Sequence, residues 1–114
     1  NAVAFKFSED KGKLLENAVY QHLRSANREV YYYSENKEVD FVCKQGLKIK
    51  ELYNVCYSIE DKETLLRETA ALIEGMKYFK LKESNIIIAE GRRRQITEQG
   101  FTISIVPFYE WALS

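Results

Sequence analysis

Apolar residues recur along the chain in short runs whose period changes from segment to segment, and each change marks a new element. From Lys11 to about Ser25, Leu14, Leu15, Ala18, Val19 and Leu23 return at helical spacing, with Ser8 or Asp10 available as an N-cap. This predicts a first helix. Ala26-Asn27-Arg28 then turns the chain into Val30-Tyr31-Tyr32-Tyr33, whose aromatic and β-branched side chains suit a pleated surface, so a first strand is expected there. After the polar break Ser34-Glu35-Asn36-Lys37, the run from Glu38 to Cys43 alternates. Val39, Phe41 and Cys43 fall on one face of this second strand, and Glu38, Asp40 and Val42 on the other. Gln45-Gly46 marks a turn, and Ile49 to Tyr57 reads as a third strand, with Leu52, Asn54 and Cys56 opposite Tyr53, Val55 and Tyr57.

The segment from Asp61 to Phe79 has the clearest helical pattern. Leu65, Thr69, Leu72, Met76 and Phe79, flanked by Leu66 and Ile73, form a wide apolar stripe among charges. Asn85-Ile86-Ile87-Ile88-Ala89 is continuously apolar, as a strand buried on both faces requires, and it follows a helix as a parallel crossover demands. A turn at Glu90-Gly91 precedes a strand from Arg92 to Thr97, and Gln99-Gly100 folds it back as a hairpin into Phe101 to Val106. Pro107 fits the first turn of a short last helix carrying Phe108, Trp111 and Leu113. Helix, three strands, helix and further strands make an α/β fold around a mixed sheet.

With 114 residues there is room for one domain and one core. Acidic and basic residues balance, 17 against 17, which excludes a global positive field; any contact with nucleic acid has to be local. No apolar stretch approaches the roughly 20 residues that span a bilayer. Cys43 and Cys56 sit in strands without a secretory framework, so reduced thiols in a cytoplasmic protein are expected. Asn1-Ala2 reads as the remnant of a cleaved tag, leaving residues 3–114 as one domain cut from a longer protein. The chain contains no G-x-x-x-x-G-K-[ST] loop, so ATP binding is expected only through a domain outside it.

Candidate chemistry centres on Glu16 in the first helix, Asp40 in the second strand, and Asn54 and Cys56 in the third. Glu16 borders the apolar stripe, although a solvated surface carboxylate is its ordinary role. Asp40 interrupts a run of strand formers, where Asp is disfavoured; its alternative role is a solvated edge residue or the partner of a lysine. Two carboxylates from different elements are what Mg2+ uses while keeping waters for a substrate phosphate. Glu51 lies on the wrong face of its strand to substitute as a ligand, and two thiols without C-x-x-C spacing do not suggest zinc. Arg92-Arg93-Arg94 are candidates for gripping phosphates, with Lys44, Lys48 and Lys50 around another turn; such charge runs are commonly just solvated. His22 has no catalytic company, and Tyr31, Tyr32 and Tyr33 are only a superficial base-stacking platform.

The phrases Gly12-Lys13-Leu14-Leu15-Glu16-Asn17, Lys37-Glu38-Val39-Asp40-Phe41-Val42, Asn54-Val55-Cys56-Tyr57 and the closing Ile105-Val106-Pro107-Phe108-Tyr109-Glu110-Trp111 occur in order over almost the whole chain. Together they resemble the C-terminal, DUF4143-type domain of AAA-type ATPases, which is similar in turn to the PD-(D/E)XK nuclease superfamily. The resemblance implies a restriction-endonuclease-like αβββαβ core. It makes Glu16 the helix carboxylate, Asp40 the metal-binding aspartate, and positions 54 and 56 the (D/E)-x-K pair. Asn54 and Cys56 depart from that motif, removing one negative charge for Mg2+ and the cation that would orient water or stabilise developing charge. Losing one such preorganised group typically costs about 100- to 1000-fold. The resemblance therefore implies weak or absent catalysis, and a partner in the chain's own N-terminal ATPase domain, with docking, regulation or nucleic-acid contact as the role; the alternatives are a working Mg2+-dependent nuclease that completes its site with another residue and a purely structural protein-interaction domain.

Overall fold

The computed structural model describes the backbone of residues 2–34 and 38–114 and the side chains of 10–31 and 39–114. Asn1 of the expected tag remnant, and 35–37 of the polar break, lie outside them. Among the described residues three helices and six strands follow in the order α1 (Ala2–Ser25), β1 (Glu29–Ser34), β2 (Glu38–Gln45), β3 (Lys48–Cys56), α2 (Lys62–Phe79), β4 (Glu83–Ile88), β5 (Arg94–Glu98), β6 (Phe101–Pro107) and α3 (Phe108–Leu113). The strands make one sheet in the order β1-β2-β3-β4-β6-β5. Pairing is antiparallel between β1 and β2, β2 and β3, and β5 and β6, and parallel between β3 and β4 and between β4 and β6. The fold is thus α/β with a mixed sheet, as the order of periods predicts.

Each face of the sheet buries its own core. On one side Leu15, Val19 and Leu23 of α1 pack on Phe41, Cys43, Tyr53, Ile87 and Val106, and Phe108 and Trp111 of α3 close the flank. On the other, Leu72, Ile73 and Met76 of α2 cover Val42, Leu52, Ile86, Ile88, Ile103 and Ile105. Central β4 therefore sends Ile86 and Ile88 one way and Ile87 the other, which explains its unbroken apolar run. Gly75 lets α2 sit close to the sheet: a Cβ there would lie 2.9 Å from Val39 Cγ2 and 3.2 Å from Leu52 Cδ1.

Several boundaries differ from the periodic reading. Helix α1 begins at Ala2, so Ser8 and Asp10 lie within it and not at its N-terminus. Asp61 does cap α2, accepting from the Thr64 N–H at 3.1 Å. Pro107 ends β6 and precedes α3 with extended backbone instead of occupying its first turn. Leu66 and Leu113 are exposed, because each falls off the side of its helix that meets the sheet.

The larger departure is in β2. Tyr31 pairs with Val42 and Tyr33 with Val39, so Asp40 and Phe41 together oppose one residue of β1. This β-bulge shifts the parity of the strand. Val39 turns to the α2 side, while Phe41 and Cys43 face α1, where strict alternation would keep all three together. A second bulge, at Lys50 of β3, lets Ile49 and Leu52 share the α2 side three residues apart.

Candidate functional site

The bulge at Asp40 coincides with a fork in the sheet. The ladder between β2 and β3 runs from Gln45↔Lys48 to Phe41↔Tyr53 and stops there, while β3 continues beside β4 to the pair Cys56↔Ile88. Two side chains bridge the parting strands. The Asp40 N–H donates to Asn54 Oδ1 at 2.8 Å, and Asp40 Oδ2 accepts from the Val55 N–H at 2.7 Å. Each side chain takes the place of a missing ladder partner, and a bulge is what re-aims the Asp40 carboxylate into the plane of the sheet. Asn54 is 1% exposed, so its amide oxygen faces a protein donor and not water.

Cys56 lies one step further along the same face of β3 and packs against the α2-side core. Its thiol donates to the Ser58 carbonyl at 3.1 Å. Burial first, and then the Glu68 carboxylate, raise its pKa, so it carries neither the charge nor the nucleophilicity of an activated thiolate. Cys43 lies in the opposite core, where burial pushes its thiol up to about 12. The two cysteines thus sit on opposite faces of the sheet.

Glu16 lines a surface hollow with Lys13, Asn17 and Tyr20 on α1, and Tyr20 in turn packs against Phe41. Among the described residues no three His, Cys, Asp or Glu side chains come close enough together to hold a metal ion. His22 packs its ring edge-on against Trp111 with centroids 4.6 Å apart, the role of a core-flanking aromatic. Tyr31 is exposed on β1, and the side chains of Tyr32 and Tyr33 lie outside the described residues.

A group that the motif pattern does not single out gathers at the end of β3. Lys11 Nζ approaches the Tyr57 hydroxyl at 3.4 Å and lies 5.3 Å from the centre of its ring, and that hydroxyl donates to Glu90 Oε1 at 2.9 Å. The backbone is joined there too, since the Ala89 and Glu90 N–H groups both donate to the Tyr57 carbonyl. The signal for Lys11 is its position one turn before Leu15 and two before Val19: the buried stripe of α1 runs back onto a cation. Sequence spacing alone gives it no partner, because Tyr57 and Glu90 come from distant segments.

The three arginines separate. Arg92 and Arg94 line a hollow of about 440 Å³ with Ile59, Glu60, Ile88 and Glu90. Arg93 turns away toward α3, where it meets Glu110 at 3.7 Å. The resulting surface mixes both signs of charge.

Among the described residues no helix is long and apolar enough to cross a membrane. An uncharacterized protein of Methanocaldococcus jannaschii is 33% identical over 121 aligned residues, covering 97% of this chain and 27% of that protein. The chain thus spans about a quarter of the length of that relative. No solved structure matches the sequence. The profile of the family described as "Domain of unknown function (DUF4143)" matches residues 11–111, nearly the whole chain, and the protein belongs to that family.

Proposed function

We propose that this domain serves a larger AAA-type ATPase by making contacts and not by catalysis, on a nuclease-like scaffold whose metal-binding corner has become a structural joint. The observation that carries this reading is the reciprocal pair of hydrogen bonds between Asp40 and the backbone and side chain of β3. A hard divalent cation needs carboxylate oxygens held ready for it. Here Asp40 Oδ2 already accepts a backbone N–H, the Asn54 oxygen is turned to the Asp40 N–H, and Glu16 lines a hollow with other side chains of α1. Such a donor set argues against a resident Mg2+. The order of the first six elements, αβββαβ, agrees with a restriction-endonuclease-like core. ATP would bind to a domain outside this chain, which has no phosphate loop. Mixed charge around Arg92 and Arg94 favours a protein contact over a phosphate track, and a cytoplasmic setting suits two buried or half-buried free thiols.

The second reading is a working Mg2+-dependent nuclease, and Lys11 is what favours it. Its amino group reaches the end of β3, close in sequence to the position where Cys56 replaces the motif's lysine. Incubating labelled single- and double-stranded DNA and RNA with the domain and Mg2+ or Mn2+, beside Asp40→Ala and Lys11→Ala, separates the two. The contact reading expects no cleavage above the metal-only control from any of the three proteins. Cleavage by the wild type that both substitutions abolish would replace it with the nuclease reading. A salt-sensitive shift of uncleaved nucleic acid, weakened by Arg92→Ala, would instead make nucleic acid the contact.

A further inference from the structure

The two open edges of the sheet are β1 and β5, and they differ in a way that points to a partner. Strand β5 reads Arg94-Gln95-Ile96-Thr97-Glu98. Laid antiparallel against itself about Ile96, it places Arg94 opposite Glu98 twice and Gln95 opposite Thr97 twice. The sequence is thus complementary in charge to its own reverse. Strand β1 is not: its one charged residue, Glu29, would face Ser34 in the same arrangement.

Pairing with β6 fixes where those side chains go. Arg94, Ile96 and Glu98 stand opposite Ile105, Ile103 and Phe101, all members of the core under α2, so the three project to the α2 side. Their neighbours on β6 are apolar, and among the described residues neither Arg94 nor Glu98 has an ion-pair partner in its own chain. Opposite charges facing each other across an antiparallel pair attract, and like charges repel.

A second observation lies on the same side. Between α2 and the β5–β6 turn runs a groove of about 360 Å³, lined by Leu66, Thr69, Ile73, Glu74 and Lys77 of α2 together with Glu98. Glu74 and Glu98 set against the single Lys77 give the groove an excess of negative charge, which suits an arriving cation. An arginine set opposite Glu98 arrives at this groove, and Leu66, 67% exposed, flanks it.

We propose that β5 is the interface of a twofold dimer, in which the β5 strands of two copies pair antiparallel about Ile96 and each Arg94 reaches Glu98 and the α2 groove of the other copy. An isologous contact of this kind joins two six-stranded sheets into one and closes on itself, so it does not propagate into fibres. The interface is short, and the dimer belongs to the weak, concentration-dependent class.

Sedimentation of the 114-residue chain up to on the order of 100 µM tests it. The wild type is expected to approach twice its 13.4 kDa mass. Arg94→Glu and Glu98→Arg, each placing like charges face to face, are each expected to weaken the dimer by about tenfold or more. An equimolar mixture of the two variants restores both cross-strand pairs and is expected to dimerise again, as is the double swap within one chain. Both side chains are exposed, so thermal melting should change little and separates loss of pairing from loss of fold. A wild type that stays monomeric overturns the proposal. So do single variants that dimerise like the wild type, or a mixture that fails to recover what the single variants lose.

Discussion

Asp40 and Asn54 exchange hydrogen bonds with backbone groups that a regular ladder would satisfy, so each is needed by a buried or half-buried donor of the sheet. Removing one acceptor leaves a backbone N–H unpaired in a place where water does not readily replace it. The cost of that is about 1–3 kcal/mol. Asp40→Ala and Asn54→Ala are each expected to lower unfolding free energy by that amount in urea titration, and the double variant by less than the sum, because the two residues share one joint. Two single variants within about 0.5 kcal/mol of the wild type would show that the fork does not depend on them. Sequence spacing identified Asp40 as out of place in a strand, and that was legible because Asp is a poor strand former. It left open what Asp40 binds, because the answer depends on a parting of two strands that period-two patterns do not encode.

Helix α2 illustrates how an element reads clearly while its fit does not. Its stripe through Leu72 and Met76 and its end at Phe79 follow from the order of residues, whereas Asp61, which the pattern counts into the helix, is its N-cap. That Gly75 is a point of close approach follows only from the positions of Val39 and Leu52 above it. Gly75→Ala gains about 1 kcal/mol of helix propensity but presses a methyl group into those two side chains. Overpacking of this kind costs about 1–3 kcal/mol, so the variant is expected to be net destabilised in the same titration. A more stable Gly75→Ala would mean that α2 can lift from the sheet. The β5–β6 connection was legible down to its turn: Glu98 pairs with Phe101, and Gln99 and Gly100 both have positive φ, 54° and 82°, as a two-residue hairpin twisted with its strands requires. The start of α1 was not: Val3 and Phe7 share the four-residue spacing of Leu15, Val19 and Leu23, but the polar run Ser8-Glu9-Asp10-Lys11 interrupts it and reads as an N-cap.

Across the whole molecule, protons held more tightly by the folded chain tie its stability to alkaline pH. Cys43 is pushed up to about 12 by burial and by the nearby Glu51 carboxylate, from an ordinary value of 9.0, and burial together with Glu51 raises Tyr53 as well. The unfolded chain releases these protons first as pH rises. Stability is therefore undiminished by these groups below about pH 9 and falls as pH climbs through the window between 9 and 12. Cys43→Ala, although less stable at neutral pH, is expected to show a shallower alkaline decline in thermal melting; an unchanged slope would remove Cys43 from the account.

The fold class was readable from the succession of periods, and the doubly covered β4 from its continuous apolar run. What escaped the pattern was the facing of Val39, because strict alternation holds only while every residue has one partner across the ladder. The unmatched residue in β2 acts as a phase slip between two counts of the chain. Deleting one residue at this point would rotate everything before it in β2 by half a turn and carry Val39 out of contact with the α2 side. Deleting or adding two would leave its facing unchanged. Across aligned relatives, length changes at this point in the second strand should accordingly be even, and an odd one should come with an exchange of apolar for polar residues in the segment that precedes it.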